Sequence, residues 1–293
     1  GLGPGGAERV AGLLCNFWVA QGHSINLITF EAADTPSFYP LHERVALHRL
    51  EAHAGQPGLL TKFATNIRRV SRLRKLLREL RPDTIVSFTT DANVVSLCSA
   101  FGLGLPVVIS ERNQPERPGL GPAHSLARAI CYRYASAAVV QTEQIAAWFR
   151  ARFRIPVHIL PNPVQLDIDP GARNGPGPQG EGRDRILASV GRLTAQKGFD
   201  ILIKSFAKLA AKHPDWRLVI YGEGPDRAFL EELRDDSSCG DRISLPGLTS
   251  DAQAALGKAS LFALASRFEG YPNALLEALS VSLPIVATDC PGG

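Results

Sequence analysis

The segment Ile186-Leu-Ala-Ser-Val-Gly-Arg-Leu-Thr-Ala-Gln-Lys-Gly198 carries the pattern from which the fold class follows. Its first five residues are small or apolar, which is typical of a short buried strand. A glycine and two cations, Arg192 and Lys197, come next, and a helix-length segment separates them from a second strand-like run at Arg217–Tyr221. A strand, a crossover and another strand of this kind predict a parallel sheet.

The same alternation extends over almost the whole chain of 293 residues. In the first half the predicted strands are Ser24–Phe30, Thr84–Phe88, Val107–Ser110, Ala137–Gln141 and Val157–Leu160, with helices that include Ala7–Gln21 and Thr142–Phe153. In the second half the predicted strands are Ile186–Val190, Arg217–Tyr221, Arg242–Leu245, Leu261–Ala265 and Ile285–Thr288. The sequence therefore predicts an α/β protein with parallel sheets.

Residues 169–184 contain five glycines and three prolines, a composition that does not sustain a helix or strand. We therefore expect a linker there, between Rossmann-like domains at 1–168 and 185–293. Two such domains would face each other across a cleft and bind ligands at the carboxyl ends of their strands. The sequence has no methionine, from which we expect a fragment truncated at both ends.

Composition narrows the classes of partner. The chain has 32 basic and 28 acidic residues, a net charge of +4, which suits anionic small molecules or an anionic membrane surface and is too weak to indicate nucleic acid. No run approaches the roughly 18 apolar residues that span a bilayer. The five cysteines lie far apart and form no C-x-x-C pair, which predicts neither a zinc site nor a disulfide framework and favours a cytoplasmic location.

The first six residues, Gly1–Gly6, match the pattern G-x-G-x-x-G, and Glu31 ends the next predicted strand where a ribose-binding acid would lie. Nicotinamide binding is therefore one interpretation, although no strand precedes the loop and Pro4 interrupts it. We favour approach of a phosphate to Gly5 and Gly6, because a glycine loop that leads into a helix presents free N–H groups. A plain tight turn is the third possibility.

In the second half, Arg192 and Lys197 lie five residues apart in a loop that follows a strand. Such a pair can clamp a diphosphate, the arginine through its fork of donors and the lysine as a point charge. The alternative is two solvated loop cations. The turn Gly222-Glu223-Gly224-Pro225 would let a ligand approach the main chain, and it is also a common strand-to-helix turn.

The segment Arg267–Leu279 contains two carboxylates, Glu269 and Glu277. Pro272 predicts a helix start, which places Glu269 in the loop and Glu277 inside the helix. The first N–H groups of that helix, at Asn273–Leu275, would help the two cations to hold a phosphate. The alternatives are an exposed helix carboxylate for Glu277 and a loop acid beside Arg267 for Glu269.

These motifs, in this order, resemble the retaining glycosyltransferases of family 4, which have the GT-B fold. The resemblance implies that Arg192 and Lys197 bind the diphosphate of the donor, that Glu277 binds its ribose and that Glu269 binds the transferred sugar. The loop around Pro246–Leu248 would border the base. The resemblance also implies that the second domain, which would bind the donor, is incomplete, because members of the family continue with further helices. Further donor-binding positions implied by the resemblance are Gly5, Gly6, Gly222, Gly270, Asn273, Ala274 and Leu275.

Within this family, Ser110–Pro115 is similar to the S-E-R-N-x-P stretch of bacterial transferases that extend undecaprenyl-diphosphate-linked glycans. By this resemblance Glu111, Arg112 and Asn113 lie in the sugar or acceptor pocket. The alternative is that the arginine and the glutamate form a network that only shapes the cleft.

The resemblance implies transfer of a hexose or N-acetylhexosamine from a UDP-sugar to a glycan or polyprenyl-diphosphate-linked acceptor, without metal or other cofactor. Three alternatives remain: a UDP-sugar epimerase of the same fold, a nicotinamide oxidoreductase, and a non-catalytic module that binds nucleotide sugars.

The stretch Arg68–Arg81 combines seven cations with an apolar stripe at helical spacing. The stripe consists of Ile67, Val70, Leu73, Leu77 and Leu80. The simplest interpretation is that the stripe packs on the first domain and the cations are solvated. The alternative is contact with anionic lipids, which would make the protein peripheral on the inner face of the cell membrane.

Overall fold

The computed structural model describes residues 1–51, 59–112, 115, 121–163, 185–249 and 251–291. Two compact units divide the chain, an N-terminal unit at Gly1–Pro163 and a C-terminal unit at Val164–Gly293. The linker predicted at 169–184 lies outside the described residues. Each unit has its own parallel strands and its own buried core.

The N-terminal unit contains two parallel sheets, β1-β2 and β3-β4-β5-β6. Its strands are β1 (Asn26–Thr29), β2 (Ala46–Arg49), β3 (Ile85–Phe88), β4 (Val107–Ser110), β5 (Ala137–Val140) and β6 (Val157–Ile159). Its helices are α1 (Gly6–Ala20), α2 (Leu59–Leu80), α3 (Thr90–Ala100), α4 (Pro122–Cys131) and α5 (Glu143–Arg152), and a 3₁₀ turn at Tyr132–Tyr134 follows α4.

The C-terminal unit has one parallel sheet in the order β9-β8-β7-β10-β11. The strands are β7 (Arg185–Val190), β8 (Trp216–Tyr221), β9 (Ile243–Gly247), β10 (Leu261–Leu264) and β11 (Ile285–Ala287). The helices are α6 (Phe199–Ala210), α7 (Arg227–Asp235), α8 (Ala252–Leu256) and α9 (Asn273–Ser280), with 3₁₀ turns at Ala195–Lys197 and Gly240–Arg242. The chain winds outward from β7 in both directions, so the topological switch point of this doubly wound sheet lies beside β7.

Every strand predicted from the sequence is present, and all strand pairs are parallel. Strand β2 was not predicted, because it has only four residues, none of them buried, and no clear apolar alternation. Strand β9 continues through Pro246 to Gly247, so the loop predicted around Pro246–Leu248 begins only after Gly247. Because β9 is an edge strand, the missing N–H of Pro246 is tolerated.

Helices cover both faces of the C-terminal sheet, and each face has its own apolar cluster. Leu218 and Ile220 of β8 pack with Ile203 and Phe206 of α6 on one face. On the other face Phe262 of β10 packs in a cluster that includes residues of α8 and α9. Burial on both faces explains why these strands are apolar along their length and were easy to find in the sequence.

The apolar stripe of α2 packs as predicted along its second half. Leu73 and Leu77 are buried, and Val70 packs against the same cluster as Val95 of α3. The prediction is wrong at Ile67, whose side chain is 55% exposed. No helix in the described part of the chain is long and apolar enough to cross a bilayer.

At the carboxyl ends of β7 and β8 the two main chains touch. The N–H of Gly191 donates to the carbonyl of Tyr221 at 3.0 Å, and the N–H of Gly222 donates to that of Gly247 at 2.8 Å. Gly222 has a φ of +150°, and a Cβ there would lie 1.9 Å from the carbonyl oxygen of Gly191. Only glycine permits this approach.

We therefore expect Gly222→Ala to destabilise the C-terminal unit by about 2 kcal/mol or more, because the main chains must separate to admit the methyl group. Urea unfolding followed by circular dichroism measures the change. The control is Gly121→Ala, since Gly121 has a φ of −62° and a Cβ added there would have no atom within 4 Å. Equal stability of the two variants would contradict the prediction.

Candidate functional site

The loops that follow β7, β8 and β10 lie at one edge of the C-terminal sheet, because the carboxyl ends of parallel strands share an edge. These loops are residues 191–198, 222–226 and 265–272. They contain the two cations, the glycine turn and the first carboxylate that the sequence analysis singled out. Strand order alone thus gathers segments that are far apart in the chain.

An ion pair between Lys197 and Glu269 joins the first and third loops. The ammonium Nζ lies 2.6 Å from Oε1 of the carboxylate, and the two residues are 72 positions apart. The Glu269 side chain is 5% exposed and that of Lys197 is 19% exposed. The hydroxyl of Ser266 donates to the same carboxylate oxygen at 2.5 Å. A carboxylate buried to this degree is stable as an anion only with such partners.

Main-chain bonds hold the same two loops together. The N–H of Arg267 donates to the carbonyl of Gln196 at 2.8 Å, and the Gln196 side chain donates to the carbonyl of Phe268 at 3.0 Å. Gly198 has a φ of +64°, and a Cβ there would lie 2.0 Å from the carbonyl oxygen of Ala265. The ion pair therefore lies in a rigid frame of backbone contacts.

Arg267 has a different carboxylate partner. Its guanidinium binds both oxygens of Asp200, at 2.8 and 2.7 Å, and it also donates to the carbonyl of Ala195 at 2.6 Å. Its hydrogen bond holds the pKa of Asp200 below the usual value. Glu269 lies in the same loop as Arg267, as the alternative interpretation states, but its ionic partner is Lys197. Arg267 instead binds Asp200, a residue of the first turn of α6.

Arg192 is exposed, and no side-chain hydrogen bond or ion pair joins it to residues that the structure describes. Its guanidinium keeps all its donors available for a ligand. Lys197 has three donors, of which one bonds Glu269, so it too retains capacity for an anion. The geometry permits the predicted clamp, which stays a prediction.

Helix α9 begins at Asn273, with Pro272 as its N-cap residue. The N–H of Leu275 donates to the carbonyl of Pro272 at 3.1 Å, so this third predicted phosphate donor is already used within the first turn. Glu277 is buried, at 7% exposure, and the alternative of an exposed helix carboxylate is wrong. Gly270 is buried next to Glu269, and Ala274 packs partly against the core.

In the N-terminal unit the side chain of Glu31 binds the main chain of the glycine-rich loop at Gly1–Gly6. Both carboxylate oxygens of Glu31 accept from the N–H of Leu2, at 2.9 and 3.0 Å, which occupies the acid that nicotinamide binding would require. Gly5 is the N-cap of α1 and Gly6 its first residue, and a Cβ on Gly5 would lie 2.1 Å from Oε2 of Glu8. Approach of a phosphate to Gly5 and Gly6 stays a prediction.

A buried network surrounds Glu111 at the carboxyl end of β4. Its carboxylate accepts from the hydroxyl of Thr90 at 3.1 Å and from that of Tyr132 at 2.8 Å. The amide of Asn93 donates to the Tyr132 oxygen at 3.0 Å, and it accepts from Ser87 at 2.8 Å. Burial raises the pKa of Tyr132. Neither Asn93 nor Tyr132 was predicted from the sequence, although an asparagine among the apolar residues of α3 is a signal that can be recognised there.

Arg112, the next residue, donates hydrogen bonds to neutral groups. Its guanidinium donates to the oxygen of Asn162 at 2.6 Å and to the hydroxyl of Ser110 at 3.3 Å, and it lies 5.6 Å from the ring centre of Phe88. Burial lowers its pKa to about 10. Within the described residues no ion pair joins Arg112 to a carboxylate. The two interpretations, a sugar or acceptor pocket and a network that shapes the cleft, both stay predictions. Asn113 lies outside the described residues.

Within the described part of the chain no three His, Cys, Asp or Glu side chains are grouped as metal ligands would be. The chemistry that these residues offer is therefore that of cations, carboxylates and main-chain N–H groups.

Two family models match this chain. Residues 4–168 match the model described as Glycosyltransferase Family 4, and residues 177–293 match the one described as Glycosyl transferases group 1.

The chain is 29% identical over 248 residues to an uncharacterised glycosyltransferase of Methanocaldococcus jannaschii, in a match that covers 78% of this chain and 60% of that protein. It is 27% identical over 285 residues to the Campylobacter jejuni enzyme named GalNAc-α-(1→4)-GalNAc-α-(1→3)-diNAcBac-PP-undecaprenol α-1,4-N-acetyl-D-galactosaminyltransferase. That match covers 95% of this chain and 74% of the relative. The chain thus spans less than two thirds of one of these relatives and about three quarters of the other.

Among solved structures, HepE of Anabaena in complex with UDP-glucose matches with a TM-score of 0.76 and 16% identity. The match covers 100% of this chain and 79% of that one. At this identity the similarity shows the fold alone, which is GT-B, and the predicted fold class is confirmed.

The ion pair between Lys197 and Glu269 should contribute to the stability of the C-terminal unit. Lys197→Met leaves the buried carboxylate of Glu269 without its cation, and we expect a loss of about 2–3 kcal/mol in unfolding free energy. Adding Glu269→Gln to that variant restores part of the loss, so the two changes are less than additive. Urea unfolding of both single variants and the double variant measures the coupling. Lys212→Met, which replaces an exposed lysine of the same unit, is the control, and strict additivity of the pair would contradict the prediction.

Proposed function

The chain belongs to glycosyltransferase family 4, and on this basis we propose that it transfers a hexose or an N-acetylhexosamine, with retention, from a UDP-sugar to an acceptor hydroxyl. The acceptor that we propose is a glycan or polyprenyl-diphosphate-linked glycan, used in the synthesis of cell-surface polysaccharide. The name of the Campylobacter relative, which specifies an undecaprenol-linked acceptor, supports this choice.

One observation carries the proposal. The loop that contains Arg192 and Lys197 is joined to the loop of Glu269 by the ion pair and by main-chain bonds, at the carboxyl edge of the C-terminal sheet. Ligands of doubly wound sheets bind at this edge, near the switch point. Two cations and a fixed carboxylate are thus held where a nucleotide sugar would bind.

The reaction that we propose separates the sugar from a nucleoside diphosphate, which leaves with increasing negative charge on its phosphate oxygens. Arg192 would bind these oxygens through its fork of donors, and Lys197 would add a point charge. Because Glu269 fixes Lys197 before the bond breaks, Lys197 would stabilise the transition state with little reorganisation. The proposal assigns this neutralisation to side chains and requires no metal ion.

The carboxylates would orient the donor. We propose that Glu269, fixed by Lys197 and Ser266, accepts hydrogen bonds from hydroxyls of the transferred sugar. Glu277, buried inside α9, would bind the ribose hydroxyls. Their assignment to separate parts of the donor distinguishes them from a pair of carboxylates that flank a scissile glycosidic bond.

In the N-terminal unit, Arg112 is the candidate for the sugar or acceptor pocket. Its half-buried guanidinium has neutral partners and no carboxylate among the described residues, so an anionic or hydroxyl-rich ligand would satisfy it. Glu111 accepts from the hydroxyls of Thr90 and Tyr132, and we assign it to the same pocket as Arg112, its neighbour in the chain.

The alternatives differ in their products. An epimerase of the same fold would release UDP without a second sugar acceptor, and a non-catalytic module would bind UDP-sugar without release. The related proteins named above are glycosyltransferases, which does not favour the epimerase. Release of UDP from a radiolabelled UDP-sugar only when a lipid-linked acceptor is present would support transfer.

The clamp is tested by calorimetric titration of the chain with UDP. We expect Arg192→Ala to weaken binding by about 10- to 100-fold, because charge-assisted hydrogen bonds to the diphosphate are lost. Lys212→Ala, which removes an exposed lysine of the same unit, serves as the matched control and should bind normally. GDP, ADP and NAD are titrated alongside.

Equal affinity of Arg192→Ala and the unsubstituted chain for UDP would refute the clamp, provided that circular dichroism shows both to be folded. Binding of NAD alone would contradict the donor assignment altogether. We expect UDP binding to be unchanged by a chelator. Loss of UDP binding on chelation would contradict the proposal that no metal ion is required.

We also propose that α2 binds an anionic membrane surface, the place where a lipid-linked acceptor would be met. Three of its cations make contacts within the N-terminal unit. Arg69 lies over the ring of Phe30, while Arg72 and Arg74 donate to main-chain carbonyls. The remaining cations of the stretch, which are exposed, are Arg68, Lys75, Arg78 and Arg81.

An exposed aromatic pair adjoins this basic surface. Phe101 and Tyr134 are each more than 60% exposed, and their rings meet edge to face at 5.7 Å. Arg74 of α2 donates to the carbonyl of Phe101 at 2.6 Å, which places the pair beside the helix. Aromatic rings next to exposed cations suit the interface of a bilayer.

We expect Arg68→Glu and Lys75→Glu each to lower co-sedimentation with phosphatidylglycerol vesicles by about fivefold or more, since each basic residue near an anionic surface contributes about 1 kcal/mol. Lys212→Glu has the same charge change in the C-terminal unit and should have a smaller effect. Equal binding to phosphatidylcholine vesicles and to phosphatidylglycerol vesicles would contradict the proposal.

A further inference from the structure

Two cysteines that are far apart in the sequence meet in the N-terminal unit. Cys98 lies near the end of α3 and is exposed, while Cys131 is the last residue of α4 and is partly buried. Their sulfur atoms are 3.7 Å apart, although 33 positions separate them in the chain. The spacing of the cysteines gave no indication of a pair, because proximity here depends on the packing of α3 against α4.

We propose that Cys98 and Cys131 form a reversible redox pair, in which Cys98 reacts with a hydroperoxide and Cys131 then converts it to a disulfide. The two cysteines are not among the residues assigned to the phosphate, sugar and membrane contacts above, and the proposal does not depend on those contacts.

The two sulfurs differ in the way that such a pair requires. Cys98 is exposed, so it is the sulfur that an oxidant in solution can reach, whereas Cys131 is partly buried. Cys131 lies 3.7 Å from the Cys98 sulfur, which is the position of a resolving thiol. The hydrogen bond between the two thiols lowers the pKa of Cys98, which favours the reactive thiolate there.

The chemistry balances with a hydroperoxide as the two-electron oxidant. The Cys98 thiolate attacks one peroxide oxygen, an S–O bond forms, the O–O bond breaks, and the departing hydroxide takes a proton to become water. Cys131 then loses its proton and attacks the Cys98 sulfur. The S–S bond forms, the S–O bond breaks, and a second water leaves. Two thiols are oxidised and one hydrogen peroxide is reduced to two waters.

The surroundings keep the two sulfurs close. Asn93 of α3 donates to the hydroxyl of Tyr132, the residue after Cys131, at 3.0 Å, and both of these side chains are fully buried. This bond fixes α3 to the end of α4 on the core side of the cysteines. A disulfide needs sulfur atoms about 2.05 Å apart, so side-chain rotation has to supply the remaining approach.

The other cysteines lack this combination of exposure and a neighbouring thiol. Cys15 and Cys239 are buried, and burial raises the pKa of Cys15 to about 11. Cys290 is partly exposed, but no second sulfur contacts it among the described residues. Oxidation should therefore select Cys98 and Cys131.

The test uses the folded full chain, reduced and freed of reductant, then treated with a stoichiometric amount of hydrogen peroxide. Alkylation under denaturing conditions and intact mass should show that five free thiols fall to three. A non-reducing peptide map should contain a Cys98–Cys131 cross-link, which dithiothreitol reverses. Thermal unfolding of the oxidised chain should have a higher midpoint, because the cross-link restricts the unfolded state.

Three variants sharpen the result. Cys290→Ser should still form the cross-link and is the matched control. Cys131→Ser should instead accumulate sulfenic acid at Cys98, detected by a dimedone adduct, and Cys98→Ser should keep all its remaining thiols. Retention of five alkylatable thiols by the folded unsubstituted chain would overturn the proposal, as would a cross-link between any other two cysteines.

Discussion

The carboxyl edge of the C-terminal sheet depends on one constraint, which is that the carboxylate of Glu269 is buried. An ionised carboxylate removed from water requires a cation and hydrogen-bond donors, and Lys197 and Ser266 supply them. Because Lys197 lies in the loop after β7 and Glu269 in the loop after β10, the pair fixes two loops that flank the switch point of the sheet. The position of a proposed donor site and the stability of this edge thus have one physical origin.

Close approach of main chains makes this arrangement possible. Gly198 passes against Ala265, and Gly222 passes against Gly191, at distances that leave no room for a Cβ. A Cβ on Gly198 would lie 2.0 Å from the carbonyl oxygen of Ala265, so it would force the loop of Lys197 away from the loop of Glu269. Gly198 therefore serves the geometry of the ion pair.

The two units offer different donors to a buried acid. Lys197 binds Glu269, and the hydroxyls of Thr90 and Tyr132 donate to Glu111, while the adjacent Arg112 donates to Asn162. A cation held by neutral groups keeps more of its charge for a ligand than one already paired with an acid. The proposed roles follow this difference: Arg112 and Arg192 would bind ligands directly, while the Glu111 network and Ser266 would hold side chains in place.

The sequence by itself determined every strand except β2, the parallel α/β class and the family, because short apolar runs and ordered loop motifs are local signals. It also identified Arg192, Lys197, Glu269 and Glu277 as a group. Only the tertiary structure decided which of them touch: Lys197 bonds Glu269 across 72 residues, and Cys98 meets Cys131 across 33. It also decided that Glu277 is buried and that Ile67 is exposed. Partners of this kind depend on strand order and helix packing, which residue spacing along the chain does not encode.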